Sequence, residues 1–307
     1  MKLLEELQKT KNKLKRISEL PQKISAIINN IKNLDSLASS QEIQVLLKFK
    51  FQDYLNSSVE DLPNFGQVGF KVYSQFEEDG ILLYIFSLIG TTNKKVVEIC
   101  VADGKECMAT NLIINHGWQG YLFDGSANNV KLGQKFFLGH KQTFLMLPTF
   151  KQAWFTAENV NQILTEAEAI GEVDLLSLDI DGMDYWIWQA IECIQPRVCV
   201  FETNNFIPSN LSLTAKYDPN FYYLNQPKEQ HLYRSVSLLA MAKLSQAKGY
   251  RLIGCHRYGF NCFFMRNDIG QNYFPEVSVE SCHNNTFSKN LQIYQWPVVK
   301  DFDWQEV

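Results

Sequence analysis

From Tyr73 onward the chain alternates short aliphatic runs with segments of helical period, and that alternation leaves few folds open. The runs in "KKVVEICVADG", "WQGYLFDGS", "KQTFLMLP", "VDLLSLDIDG" and "PRVCVFETN" read as five strands, rich in β-branched or aliphatic residues. "EEDGILLYIFSLIG" and "CMATNLIINHG" read as helices closed by glycine. "TAENVNQILTEAEAIG" reads as a helix opened by a capping threonine, and "YWIWQAIECI" as the helix after the fourth strand. Strands that alternate with helices predict a mostly parallel sheet covered on both faces, a doubly wound α/β fold. "SVSLLAMAKLSQAKG" then adds a helix, and "YRLIGCHRYGFNCFFMRND" a hairpin bringing an antiparallel strand to one edge.

In such a sheet, ligands bind beyond the carboxyl ends of the strands, near the switch in strand order. Acids recur at that edge. Glu98, Asp103 and Gly104 follow the first strand, Asp124 ends the second, Asp179 and Asp181 follow the fourth, and Glu202 and Asn204 the fifth. Buried carboxylates are costly unless paired, hydrogen-bonded or bound to a metal. A solvated turn is the bland reading of "DLLSLDIDGMDYW" alone, but recurrence at one end of four strands favours a site. Asp124 follows Gly104 at the spacing of about twenty residues that places an acid on ribose hydroxyls. A G-x-G-x-x-G cradle for pyrophosphate is missing. That argues against NAD and FAD and for a nucleoside ligand without phosphates.

Residues 1–50 differ in kind. They contain no glycine and place Leu7, Leu14, Ile17, Ile24, Ile28 and Ile31 on one heptad seam, with Pro21 and Asp35 interrupting it. A helical extension able to pair copies of the chain is expected there, ahead of a catalytic domain over 51–307. The basic run 9–16 reads as a solvated helix face, with weak contact to an acidic membrane surface as the lesser alternative. The segment 205–233, rich in Asn, Pro and Tyr, is long enough to be a lid-like insertion. A net charge of -4 gives no global pull toward nucleic acid or an anionic membrane. The 7 cysteines are dispersed, with Cys193 and Cys199 read as small core residues. With no visible secretory leader and no apolar run long enough to span a bilayer, a cytoplasmic protein is expected.

The order of several motifs resembles the class I S-adenosylmethionine-dependent methyltransferases, in particular the FkbM-like group. They are "YSQFEEDG", "VVEICVADG", "NLIINHGWQGYLFDG", "WFTAENVNQIL", "DLLSLDIDGMDYW", "PRVCVFETN" and the closing hairpin, and together they cover the chain from about Tyr73 to its end. The resemblance implies a Rossmann-like sheet of seven strands, the last hairpin supplying a reversed edge strand. It implies S-adenosyl-L-methionine across the ends of strands one and two. Glu98, Cys100, Asp103 and Gly104 would border its methionine part, Asp124 the ribose, and Ser74 and Gln75 its carboxylate. Where the family usually has a glycine in the first turn, this chain has Cys100.

Methyl transfer to a hydroxyl needs an in-line acceptor and a route for its proton. Asp179, Asp181 and Glu202 are the expected catalytic acids, with Asp184 capping or flanking the next helix. The same three can also ligate a divalent cation such as Mg that acidifies the acceptor. The five histidines are too dispersed for a zinc site. A saccharide or other small hydroxylated acceptor is the first expectation. Two alternatives stand: a metal-dependent glycosyltransferase using Asp179 and Asp181 as D-x-D, and a non-catalytic interaction protein that retains the fold.

Overall fold

A computed structural model describes residues 41–307. The heptad seam and the basic run 9–16 lie outside the described residues, as does the coiled coil expected of them. The chain divides into two compact units, Met1–Leu47 and Lys48–Val307. The second carries the sheet and every expected site residue.

Its sheet is built from β1 (Lys95–Ile99), β2 (Gln119–Asp124), β3 (Thr149–Gln152), β4 (Gly171–Leu178), β5 (Ile194–Glu202), β7 (Tyr250–Cys255) and β8 (Asn261–Arg266). The order is β3-β2-β1-β4-β5-β8-β7, so the fold is a doubly wound, Rossmann-like sheet of seven strands. β1 to β5 pair in parallel, and β8 runs antiparallel to both neighbours. Parallel strands are buried on both faces, which is why these read as unbroken apolar runs. Val96, Val97, Leu122, Phe123, Leu175, Leu176, Val198 and Cys199 have no exposed surface. The switch in strand order falls between β1 and β4.

The sheet is fixed at its amino-terminal edge by a buried ion pair. Asp174 on β4 accepts hydrogen bonds from the backbone amides of Thr92, Asn93 and Lys94 at 2.6–3.1 Å and meets Arg197 of β5 at 2.7 Å. Arg197 also donates to the carbonyls of Ile89 and Gly90. Burial alone would raise the Asp174 carboxyl. Arg197 and the three amides more than offset that and hold it below its usual range.

Three expectations are corrected. The third strand is not "KQTFLMLP": Lys141–Thr143 is a 3-10 turn, residues 144–147 are exposed, and β3 follows Pro148. Phe150, not the apolar run before it, faces the core, where it closes on Gly133; a Cβ on Gly133 would stand 1.9 Å from its ring. The reversed strand is β8, which lies inside the sheet, so the edge is β7. Thr156 does not cap a helix directly. A turn held by Asn159 intervenes, and the helix is Val160–Glu166.

Beyond the hairpin, short helices Val279–His283, Thr286–Tyr294 and Trp296–Val299 lead to β9 (Gln305–Glu306), which pairs with β6 (Leu213–Thr214) inside the 205–233 segment. A small core of Phe206, Ile207 and Val299, flanked by Trp296 and Trp304, joins the two.

Candidate active site

β4 and β5 lie in register, with Leu178 opposite Phe201, so the residues that follow, Asp179 and Glu202, meet at the sheet edge. Oxygens of Asp179, Asp181 and Glu202 lie within 4.8 Å of one another. Burial, reinforced by the charges of Asp181 and Asp184, pushes the Glu202 carboxyl up to about 7. Burial and the adjacent Glu202 raise Asp179 well above its usual range too. The two are hydrogen-bonded and hold a proton between them at neutral pH. Asp181 is handled differently. It adopts a left-handed backbone (φ 54°), and its carboxylate meets Arg234 at 2.8 Å. The Arg234 guanidinium stands 4.3 Å from the centre of the Tyr223 ring. Asp184 begins the helix Asp184–Ala190, yet its carboxylate accepts from the amides of Ile180 and Gly182. It caps the turn rather than the helix, and burial lifts it to about 6.

The turn after β1 forms the other wall. Cys100, Ala102 and Gly104 have φ of 70°, 48° and 71°, a conformation that costs the two non-glycine residues energy. The amides of Cys100 and Val101 donate to the Phe123 carbonyl, and that of Ala102 to Asp124 Oδ2 at 2.9 Å. Asp124 Oδ1 accepts from the Ser126 amide and from Asn129. Asp124 therefore organises this turn; it is buried, with Oδ2 on the Ala102 amide and Oδ1 on Ser126 and Asn129. Cys100 is exposed to the crevice, where loss of solvent and the carboxylates of Asp179, Asp124 and Asp181 raise its thiol.

Other expected site residues are occupied within the protein. Glu98 accepts from the amides of Met108 and Ala109, capping the helix Met108–His116. Asp103 pairs with Lys105. Gly104 supplies a turn in which a Cβ would stand 3.0 Å from Phe137. Ser74 exchanges hydrogen bonds with Asp79, and Gln75 is exposed. The "SQFEEDG" motif instead docks the chain ahead of β1: Glu77 holds Arg257 and Glu78 holds Asn261, both from the β7–β8 hairpin.

Between the two walls lies a cleft lined in part by Cys100, Gly125, Trp154, Asp181 and Met183. Tyr217, Phe221 and Tyr222 from the 205–233 segment roof it. The roof is tied down: Trp154 Nε1 donates to the Pro219 carbonyl, the Ala157 amide to Tyr217 Oη, and Trp186 Nε1 to the Ala215 carbonyl. Asp181 lines the cleft, and the Asp179–Glu202 pair adjoins it there. Trp154, Tyr217, Phe221 and Arg234 are absent from the sequence-derived site. Their one signal is the aromatic content of the loops after β3 and β5.

No protein-family model and no curated protein matches the chain. Among solved structures, the N-terminal domain of EvdMO1 with SAH bound is similar over 73% of this chain and 93% of its own, at 11% identity and a TM-score of 0.40. The O-methyltransferase from Bacillus cereus in complex with SAH is similar over 72% and 89%, at 12% identity and a TM-score of 0.36. An S-adenosylmethionine-dependent methyltransferase from Clostridium acetobutylicum covers 71% and 98%, at 9% identity and a TM-score of 0.40.

Proposed function

We propose that the chain is an S-adenosylmethionine-dependent methyltransferase of the FkbM-like kind, acting on a hydroxyl of a small acceptor, a saccharide above all. The observation that carries this is the Asp179–Glu202 pair, a carboxyl pair that exchanges a proton near neutrality beside the aromatic-lined cleft that Asp181 enters. A general base works best when its pKa lies close to the operating pH.

The residues fit the cofactor. The Trp154 ring abuts Gly125, where a Cβ would stand 3.1 Å away, and offers a flat wall to a purine. Asp124, at the end of β2, is the expected ribose partner, and the 100–104 turn borders the inner end. Bound there, S-adenosylmethionine supplies a methyl group on a sulfonium. The chain's own part is to exclude water with Phe221 and Tyr222, to place the acceptor hydroxyl, and to take its proton onto the singly ionised Asp179–Glu202 pair. Aromatic faces beside Asp218 suit a sugar ring and its hydroxyls. A divalent cation would be held by Asp179, Asp181 and Glu202, but it must displace both the shared proton and Arg234. The same ion pair counts against a D-x-D glycosyltransferase, because Asp181 already faces a cation.

Calorimetric titration with S-adenosylhomocysteine tests the cofactor. Binding is expected, and Asp124→Ala should weaken it by about 1.5–3 kcal/mol, the range for a hydrogen bond to a charged group. Absence of heat with both S-adenosylmethionine and its product in the wild-type chain would sink the proposal. Unchanged affinity in the variant would confine Asp124 to holding the turn.

A further inference from the structure

The corrected strand leaves an unusual surface. Residues 144–147, Phe-Leu-Met-Leu, are four consecutive apolar side chains with exposures of 68%, 93%, 42% and 44%. Runs of this kind are avoided on protein surfaces unless they bind something. Leu138, at the end of the helix Ala127–Leu138 leading to this loop, is 59% exposed.

The charge around the loop is one-sided. From 125 to 157 the chain has four lysines and no aspartate or glutamate, although its net charge is -4. Lys131, Lys135 and Leu138 fall within about 60° of one another around the helix axis, so two cations and an exposed leucine share a face. Lys131, Lys135 and Lys141 are exposed and make no ion pair among the described residues. The fourth, Lys151, is held by the carbonyl of Glu166.

We propose that this loop and helix face dock on an anionic lipid surface, with residues 144–147 inserted at the headgroup boundary and Lys131, Lys135 and Lys141 over lipid phosphates and carboxylates. Apolar insertion flanked by lysines is the chemistry of peripheral membrane attachment. Among the described residues no helix is long and apolar enough to cross a membrane, so the contact lies on the surface. The loop precedes β3, whereas the cleft is lined by residues that follow it. Docking therefore leaves the cleft mouth directed toward water, open to an acceptor that arrives from solution.

The test uses the full chain and sedimented vesicles of phosphatidylcholine, with and without phosphatidylserine. Binding to the mixed vesicles and little to phosphatidylcholine alone is expected. Phe144→Ser with Leu145→Ser should lower partitioning about tenfold or more, since both side chains lose their apolar insertion. Lys131→Gln, Lys135→Gln and Lys141→Gln should each lower it roughly fivefold. Circular dichroism confirms that the exposed substitutions keep the fold. Equal binding by the apolar variant would overturn the proposal, placing the contact elsewhere, as in the basic run 9–16. So would a drop in particle mass on substitution, because the loop would then join copies of the chain. Neither result bears on cofactor binding, which is measured without lipid.

Discussion

Asp179→Asn is expected to cut methyl transfer by about a hundredfold to ten-thousandfold, the contribution typical of a positioned general base. Affinity for S-adenosylhomocysteine should hold, because the cofactor's expected partners lie on the turns after β1 and β2. In the wild-type chain the rate should rise with pH through about 7, as Glu202 ionises and leaves the pair one carboxylate able to act as base. The same pair sets a stability trend of the opposite sense. Carboxyls whose folded pKa is raised stabilise the fold fully below their unfolded value, near 4, and that contribution is lost as pH rises through the folded value. Glu202, and with it Asp184 and Asp79 near 6, should therefore lower the melting temperature between pH 4 and 7. Asp179→Asn removes one of the repelling charges and should melt higher than wild type at pH 8. Added magnesium or manganese should leave the midpoint of the rate profile near neutrality. A midpoint that moves several units down on adding metal would show a cation-held triad instead. A variant that melts higher and turns over at the wild-type rate would make the pair purely structural.

Asp174→Ala should cost about 3–5 kcal/mol of folding stability, the loss seen when one partner of a buried ion pair is removed. Its side chain is fully buried, Arg197 is 7% exposed, and the substitution would strand that guanidinium and free three backbone amides. Urea unfolding monitored by tryptophan fluorescence measures this directly. Pairing Asp174→Ala with Arg197→Met should recover part of the loss, since the uncompensated charge is gone. Because the Asp174 carboxyl is held below its usual range, its contribution is present above pH 4 and lost as pH falls through the folded value. A shift in stability below about 1 kcal/mol, the usual size for an exposed pair, would remove Asp174 from the framework.

β1, β2, β4 and β5 were legible because a strand buried on both faces must be an apolar run, and a turn after it favours acids and glycine. β3 was not: its four residues bury one side chain, Phe150, while the run before it is exposed. Acids at the strand ends pointed to the edge where Asp179, Asp181 and Glu202 meet but did not separate their tasks. Glu98 and Asp179 occupy similar places in sequence, yet Glu98 is consumed by two helix amides and Asp179 by another carboxyl. Asp174 reads as one more acid of its stretch, because its partners lie 80–82 residues earlier and 23 later. Arg234 and the aromatic roof sit in loops, where no period marks which side chain turns inward.

β8 lies between β5 and β7, and this has a consequence for how the chain assembles. As synthesis proceeds from the amino terminus, β1 to β5 emerge together with the helices between them. The outer edge of β5 stays without a neighbour until residues 261–266 have been made. For some sixty residues of further growth that edge offers unpaired amides and carbonyls beside Val198, Val200 and Phe201, a template for another chain. The hairpin that finally fills it is also the one Glu77 and Glu78 grip from ahead of β1. The last strand of the seven to arrive thus closes the large sheet and locks the segment leading into its first strand in a single event.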